Sequence, residues 1–181
     1  MTTSSVSDAD LFNDYRHGNI KAFDALYQRY RQPLYLFLLR RGHSESSAED
    51  VFHDTWLRVI DHHDSFEGGN FRAWLYGIAR NLSTDGFRRE KIRQARPIED
   101  DDPGSADASA QTRYEALDCI ELIKASVAAL PIEQRDVFLL KQEAGLSLEQ
   151  IAELMAVGRE TIKSRIRYAM QRLKQLMEEC L

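Results

Sequence analysis

The chain has 181 residues, with 24 Lys or Arg against 29 Asp or Glu, for a formal net charge of −5 at neutral pH. Hydrophobic residues make up 43%, enough for one medium soluble domain or two small ones, and no run of about eighteen apolar residues marks a membrane span. The N-terminus, MTTSSVSDADLF, lacks the segments of a signal peptide, and Cys119 and Cys180 are too few and too distant for a disulfide framework or a zinc site, so the reading is two reduced thiols in a cytoplasm.

The periodic segments have helical spacing, and none alternates with period two over strand length, which predicts an all-α fold. A short helix is expected at 8–17, with Ser7 as N-cap and Gly18 as stop. A second spans 20–41, with Ala22, Phe23, Leu26, Tyr27, Tyr30 and Leu34 on one side, and Pro33 is expected to kink or split it. Ser46 and Glu49 fit a capping box opening a third helix that runs to about His63. After a glycine-containing loop, DSFEGGN at 64–70, a fourth helix spans about 71–92, with Gly86 as its weak point.

Composition then changes. Residues 94–112 have two prolines, a glycine and a run of acids, with no apolar face to bury, and read as a flexible linker. The predicted architecture is therefore two small helical domains, 1–93 and 113–181, joined by an acidic linker. In the second domain a helix is expected at 114–129, and Pro131 opens another to about 143. Gly145 breaks it, and Ser147 caps the next helix with Gln150 in the reciprocal position, ending near Met155. The last helix spans about 159–177.

Those final two helices, with AVG between them, have a helix-turn-helix pattern. Leu148, Ile151, Ala152 and Met155 share one face, and Ile162, Ile166, Ala169, Leu173 and Leu176 form the inward stripe of the longer helix. Arg159, Lys163, Ser164, Arg167 and Gln171 are left facing out, where basic side chains reach phosphates and base edges. A merely solvated basic face, a repressor and a response-regulator output domain share this pattern. Charge is nonetheless sorted: Arg72, Arg80, Arg88, Arg89, Lys91, Arg93 and Arg96 gather in 71–96, and a second basic block occupies 158–177, with the acids of 99–107 between them.

Four segments in order carry a resemblance: AFDALYQRYRQPLYLFLLRRG, SAEDVFHDTWLRVIDHHDSF, FRAWLYGIARNLSTDGFRR and LPIEQRDVFLLKQEAGLSLEQIAELMAVGRETIKSRIRYAMQRL. Together they resemble regions 2.1, 2.2, 2.3–2.4 and 4 of the extracytoplasmic-function (ECF) sigma factors, over about four-fifths of the chain. The resemblance implies a non-enzymatic subunit, without cofactor or metal, that binds core RNA polymerase, recognises −35 and −10 promoter elements and helps open the duplex. It places Arg159, Lys163, Ser164, Arg165, Arg167 and Tyr168 at the −35 element, with Tyr168 departing from the basic residue often found there. It places Ser65, Phe66, Asn70, Trp74, Arg80, Asn81, Asp85, Arg88 and Arg89 at the −10 element, although Trp74 also reads as a core aromatic and Asp85 as a structural partner for an arginine. Asn81, Asp85, Arg88 and Arg89 match the N-x-x-x-D-x-x-R-R pattern there. Further implied partners are the polymerase beta-prime clamp helices, the beta flap and an anti-sigma protein, which can hold the chain at a membrane it does not enter. Glu99 to Asp102 give the linker the charge to enter a basic polymerase channel.

The stretch VFHDTWLRVIDHHDSF, residues 51–66, invites a different reading, a metal-dependent hydrolase. Successive helical residues turn about 100°, so His53, His62 and His63 diverge, and no pair has the spacing of three or four that a helical metal site wants. Ala48, Val51, Phe52, Thr55, Trp56 and Val59 form an inward stripe. Asp50, His53, Asp54, Leu57 and Asp61 form the opposite, wet face, an apolar centre with a polar rim; the resemblance makes this face the docking surface for core polymerase.

Overall fold

The computed structural model describes residues 6–66, 68–94 and 119–178. The expected linker, from residue 95 onward, and the expected start of the helix at 114 lie outside the described residues. Among the described residues there are eight α-helices: α1 (Asp8–Arg16), α2 (Ile20–Arg41), α3 (Glu45–Asp61), α4 (Phe71–Gln94), α5 (Cys119–Ala128), α6 (Ile132–Gln142), α7 (Leu148–Met155) and α8 (Arg159–Glu178).

Local chemistry explains most boundaries. The Ser7 hydroxyl accepts from the Asp10 amide, and Ser147 and Gln150 form the reciprocal capping box. Two expectations need correction. The cap of α3 is Ser44, whose hydroxyl accepts from the Ser47 amide; the Ser46–Glu49 box does not open the helix. Pro33 does not split α2, which is continuous from Ile20 to Arg41. Pro33 lies on the exposed side, where water can satisfy the carbonyl that loses its donor.

The N-terminal helices bury Leu26, Leu34, Phe37 and Leu38 of α2 against Ala48 and Val59 of α3 and Leu75 and Ala79 of α4. The Tyr30 hydroxyl donates to Asp8 and accepts from Arg72 Nε at 3.0 Å, tying α1, α2 and α4 together. Burial, opposed by Arg72 and aided by Asp8, pushes this phenol up to about 12, so it stays neutral. The C-terminal helices close over Val137, Leu139, Leu140, Ile151, Ile162 and Ala169.

The two helical groups are docked. Arg41, at the end of α2, is 1% exposed and reaches Asp136 of α6 with Nε at 2.6 Å and Nη2 at 2.9 Å. Its remaining N–H groups donate to the Arg80 carbonyl, Ser83 and Thr84, so all five are used. Arg135 Nη1 donates to the Arg41 carbonyl at 2.8 Å, Arg40 pairs with Glu143, and Arg72 Nη1 donates to the Ala144 carbonyl at 3.3 Å.

His43 sits beside this joint, buried, stacked on Phe87 at 4.2 Å and hydrogen-bonded to Ser47 and Ser83. Burial, with Arg41 nearby, pushes its imidazole down to about 4. The folded chain therefore stays unprotonated where the unfolded chain, with its ordinary value of 6.5, takes up a proton. The contribution of His43 is complete above pH 6.5 and is lost as pH falls towards 4. Denaturation at several pH values checks this: His43→Gln is expected to flatten the slope between about pH 5 and 6.5, and an unchanged slope would contradict it.

Candidate nucleic-acid and protein interfaces

The loop before α4 and the outer side of α4 form the first surface. Gly68 and Gly69 take φ of 96° and 93°, a left-handed pair that β-carbon-bearing residues resist, and they turn the chain into α4. Asn70 Oδ1 accepts from the Ala73 amide, so Asn70 caps this helix. Phe66 is 6% exposed and packs with Phe12, Phe71 and Trp74. Of the residues expected at the −10 element, Phe66 is therefore packed beneath the loop and Asn70 shapes the loop's backbone. Trp74 is half-buried, with Phe12, Phe66 and Phe71 around it.

Ser65, Trp74, Asn81 and Asp85 line one cleft of about 220 Å³, together with Arg58 and His62. A larger space of about 640 Å³ continues past Trp74, Gly77 and Asn81 to Gln150, Glu153 and Leu154 of α7. Three expected residues go elsewhere. Arg80 is turned to the helical joint, where its Nε donates to Asp136 Oδ2 at 3.0 Å. Arg88 is exposed further along α4. Arg89 lines a separate groove with Asp50, His53 and Asp54 of α3.

The second surface is α8. Ile162, Ala169 and Leu173 are buried and Ile166 half-buried, as the stripe requires, and Arg159, Lys163, Arg167 and Tyr168 are exposed, with Ser164 and Arg165 half-buried. Ala156 closes the turn from α7 in the left-handed region, at φ 53°. The cations are not bare: Arg159 pairs with Glu149 at 2.5 Å, Lys163 with Glu160 at 2.7 Å and Arg165 with Glu133, and the Arg167 guanidinium lies 5.3 Å from the Tyr168 ring centre.

The third surface is the outer face of α3. Ala48, Val51, Phe52, Thr55, Trp56 and Val59 are buried, while Asp50, His53, Asp54, Leu57 and Asp61 are exposed. Leu57 is 56% exposed and has a companion that the sequence reading missed, Ile60, at 40%. Ile60 lies three residues on, a spacing that puts it on the same side. The histidines do not converge: His63 Nδ1 bonds the Ile60 carbonyl, His62 closes the end of α3, and no group of three metal-binding side chains occurs among the described residues. No described helix is long and apolar enough to cross a membrane.

Comparison with known proteins places the chain in a family. Residues 26–92 match the Sigma-70 region 2 family and residues 127–175 match the Sigma-70, region 4 family. The ECF RNA polymerase sigma factor SigM of Mycobacterium tuberculosis (strain ATCC 25618 / H37Rv) is 29% identical over 172 residues, covering 94% of this chain and 85% of that protein. SigL of the same organism is 31% identical over 157 residues, covering 86% of this chain and 88% of its own. The sigma factor RpoE of Bartonella quintana, solved in complex with the anti-sigma factor NepR, superposes with a TM-score of 0.69 at 28% identity, covering 87% of this chain and 98% of that one.

A region 2 module followed by a region 4 helix-turn-helix defines a sigma factor of the sigma-70 class. The chain belongs to its ECF family, whose members are non-enzymatic factors for promoter-specific transcription initiation by RNA polymerase.

Proposed function

We propose that this sigma factor holds core polymerase through the Leu57–Ile60 face of α3, reads a −10 element at the Trp74–Asn81 cleft and reads a −35 element with α8. In this reading residues 1–93 and 113–181 act as separate units on a cytoplasmic polymerase, tethered by 94–112. The observation that carries it is the exposed basic face of α8 in the same chain as a cleft lined by an aromatic and an asparagine. Melting a promoter disrupts stacking worth about 1–2 kcal/mol per base-pair step. A cleft that takes up an unstacked base offsets part of that, and Asn81 can pair with a base edge. Core polymerase supplies the rest. An anti-sigma protein is a further proposed partner, supported by the likeness to a sigma factor solved with one.

In-vitro transcription with purified core enzyme tests this directly. Promoter-dependent transcripts are expected only with both proteins present; tight binding of a palindrome by the free chain would instead indicate a conventional dimeric regulator. Lys163→Ala is expected to lower −35-dependent initiation on the order of tenfold. Activity of the variant equal to wild type on a promoter whose use by wild type depends on the −35 element would remove Lys163 from the interface.

A further inference from the structure

The joint between the helical groups contains more chemistry than packing needs. Asp136 is 1% exposed and accepts from two guanidinium groups of the N-terminal helices, Arg41 and Arg80. A buried carboxylate held by two arginines has the donor geometry that the same arginines would offer a phosphate. Arg80 is 20% exposed, so it lies at the rim, where a strand passing Asn81 can compete for it.

The same docking places α7 against the cleft. A β-carbon built at Gly77 of α4 would stand 3.7 Å from Leu154 Cδ1 and 3.8 Å from Leu154 Cγ. Gln150, Glu153 and Leu154 face Trp74, Gly77 and Asn81 across the space between them. Glu153 brings a negative charge to the site where a DNA backbone would run, and like charges at short range repel.

We infer that Asp136 is an internal phosphate mimic that latches the two groups together, withholding Arg80 and walling one side of the −10 cleft until the molecule opens. Opening exchanges Asp136 for solvent or a DNA phosphate and carries Glu153 away from the cleft. Arg41 keeps its bonds to the Arg80 carbonyl, Ser83 and Thr84, so the N-terminal helices survive the exchange. The closed form then lowers apparent promoter affinity by the fraction of molecules that are open.

The inference rests on the proposed −10 reading for its consequence but not for the latch itself, and the two are separable by experiment. Asp136→Asn in the full chain is expected to enlarge the radius of gyration in small-angle X-ray scattering. It is also expected to tighten binding of a −10 single strand by the free chain by about tenfold or more. An unchanged radius with intact helical content overturns the latch. A larger radius without tighter binding keeps the latch and sinks the −10 assignment.

A second variant covers the case in which Asp136→Asn fails to fold. Gly77→Cys with Leu154→Cys, in a chain carrying Cys119→Ser and Cys180→Ser, puts one thiol on each side of the contact at which a Gly77 β-carbon would stand 3.8 Å from Leu154 Cγ, for oxidation to a disulfide. The oxidised form is expected to initiate about tenfold or more below the reduced form of the same protein, with recovery on reduction. Equal activity of the disulfide-closed and reduced forms shows that initiation needs no opening and overturns the inference.

Discussion

Phe12→Ala is expected to destabilise the N-terminal helices by about 3–5 kcal/mol, the range for removing a fully buried phenylalanine. Phe12 is 0% exposed. Its ring centre lies 4.9 Å from Phe71, 5.0 Å from Phe66 and 5.4 Å from Trp74. It comes from α1, ahead of the matched region 2 segment that starts at residue 26. Yet it is the support on which the cleft wall leans. Truncation leaves a void behind Phe66 and Trp74, and the rings move into it. Loss of stability and loss of promoter opening should therefore appear together. Urea denaturation followed by Trp fluorescence checks the first; an unchanged midpoint would mean that α1 does not dock as described.

Leu57→Asp is expected to weaken binding to core polymerase by about thirtyfold, corresponding to roughly 2 kcal/mol for an apolar hot-spot residue, while the melting midpoint stays near that of wild type. Leu57 is 56% exposed, so the fold loses little by its removal. Its neighbours Asp54 and Asp61 are exposed and acidic, so a basic partner suits the rim. Asp54→Arg should then act in the same direction through charge, and Ile60→Asp through the apolar centre. Competition for core against labelled wild-type chain measures all three, and undiminished affinity of Leu57→Asp would move the docking surface elsewhere.

These surfaces were legible in the sequence to different degrees, for physical reasons. Helical periodicity settles which side of α3 and α8 faces inward, because a wet face and a buried face differ in composition. The cap of α3 was misplaced: Glu49 three residues after Ser46 suggested a capping box there, whereas the cap is Ser44. What selects Ser44 is tertiary, since His43 just before it is pinned by Ser83 of α4 and stacked on Phe87. Arg41 carried no signal at all. In an RRG run ending a helix it reads as a solvated terminus, and its partner is 95 residues away. The engagement of Arg80 with the same carboxylate was equally illegible, since Asp136 lies 56 residues further along the chain. Leu154 was missed because α7 has apolar residues on two sides, one for its own core and one for α4.

The paired cations of α8 have a consequence for the ionic atmosphere of DNA. A duplex condenses counterions, and a protein cation gains affinity by sending one of them into bulk solution. Arg159, Lys163 and Arg165 already have carboxylates of their own in Glu149, Glu160 and Glu133. When such a pair is broken by a phosphate, the freed carboxylate recruits an ion in turn, and the net release is small. Binding of α8 to a duplex should accordingly be far less sensitive to ionic strength than its basic residues suggest. The helix would then linger little on arbitrary DNA, and its residence would depend on the fit of side chains to base edges.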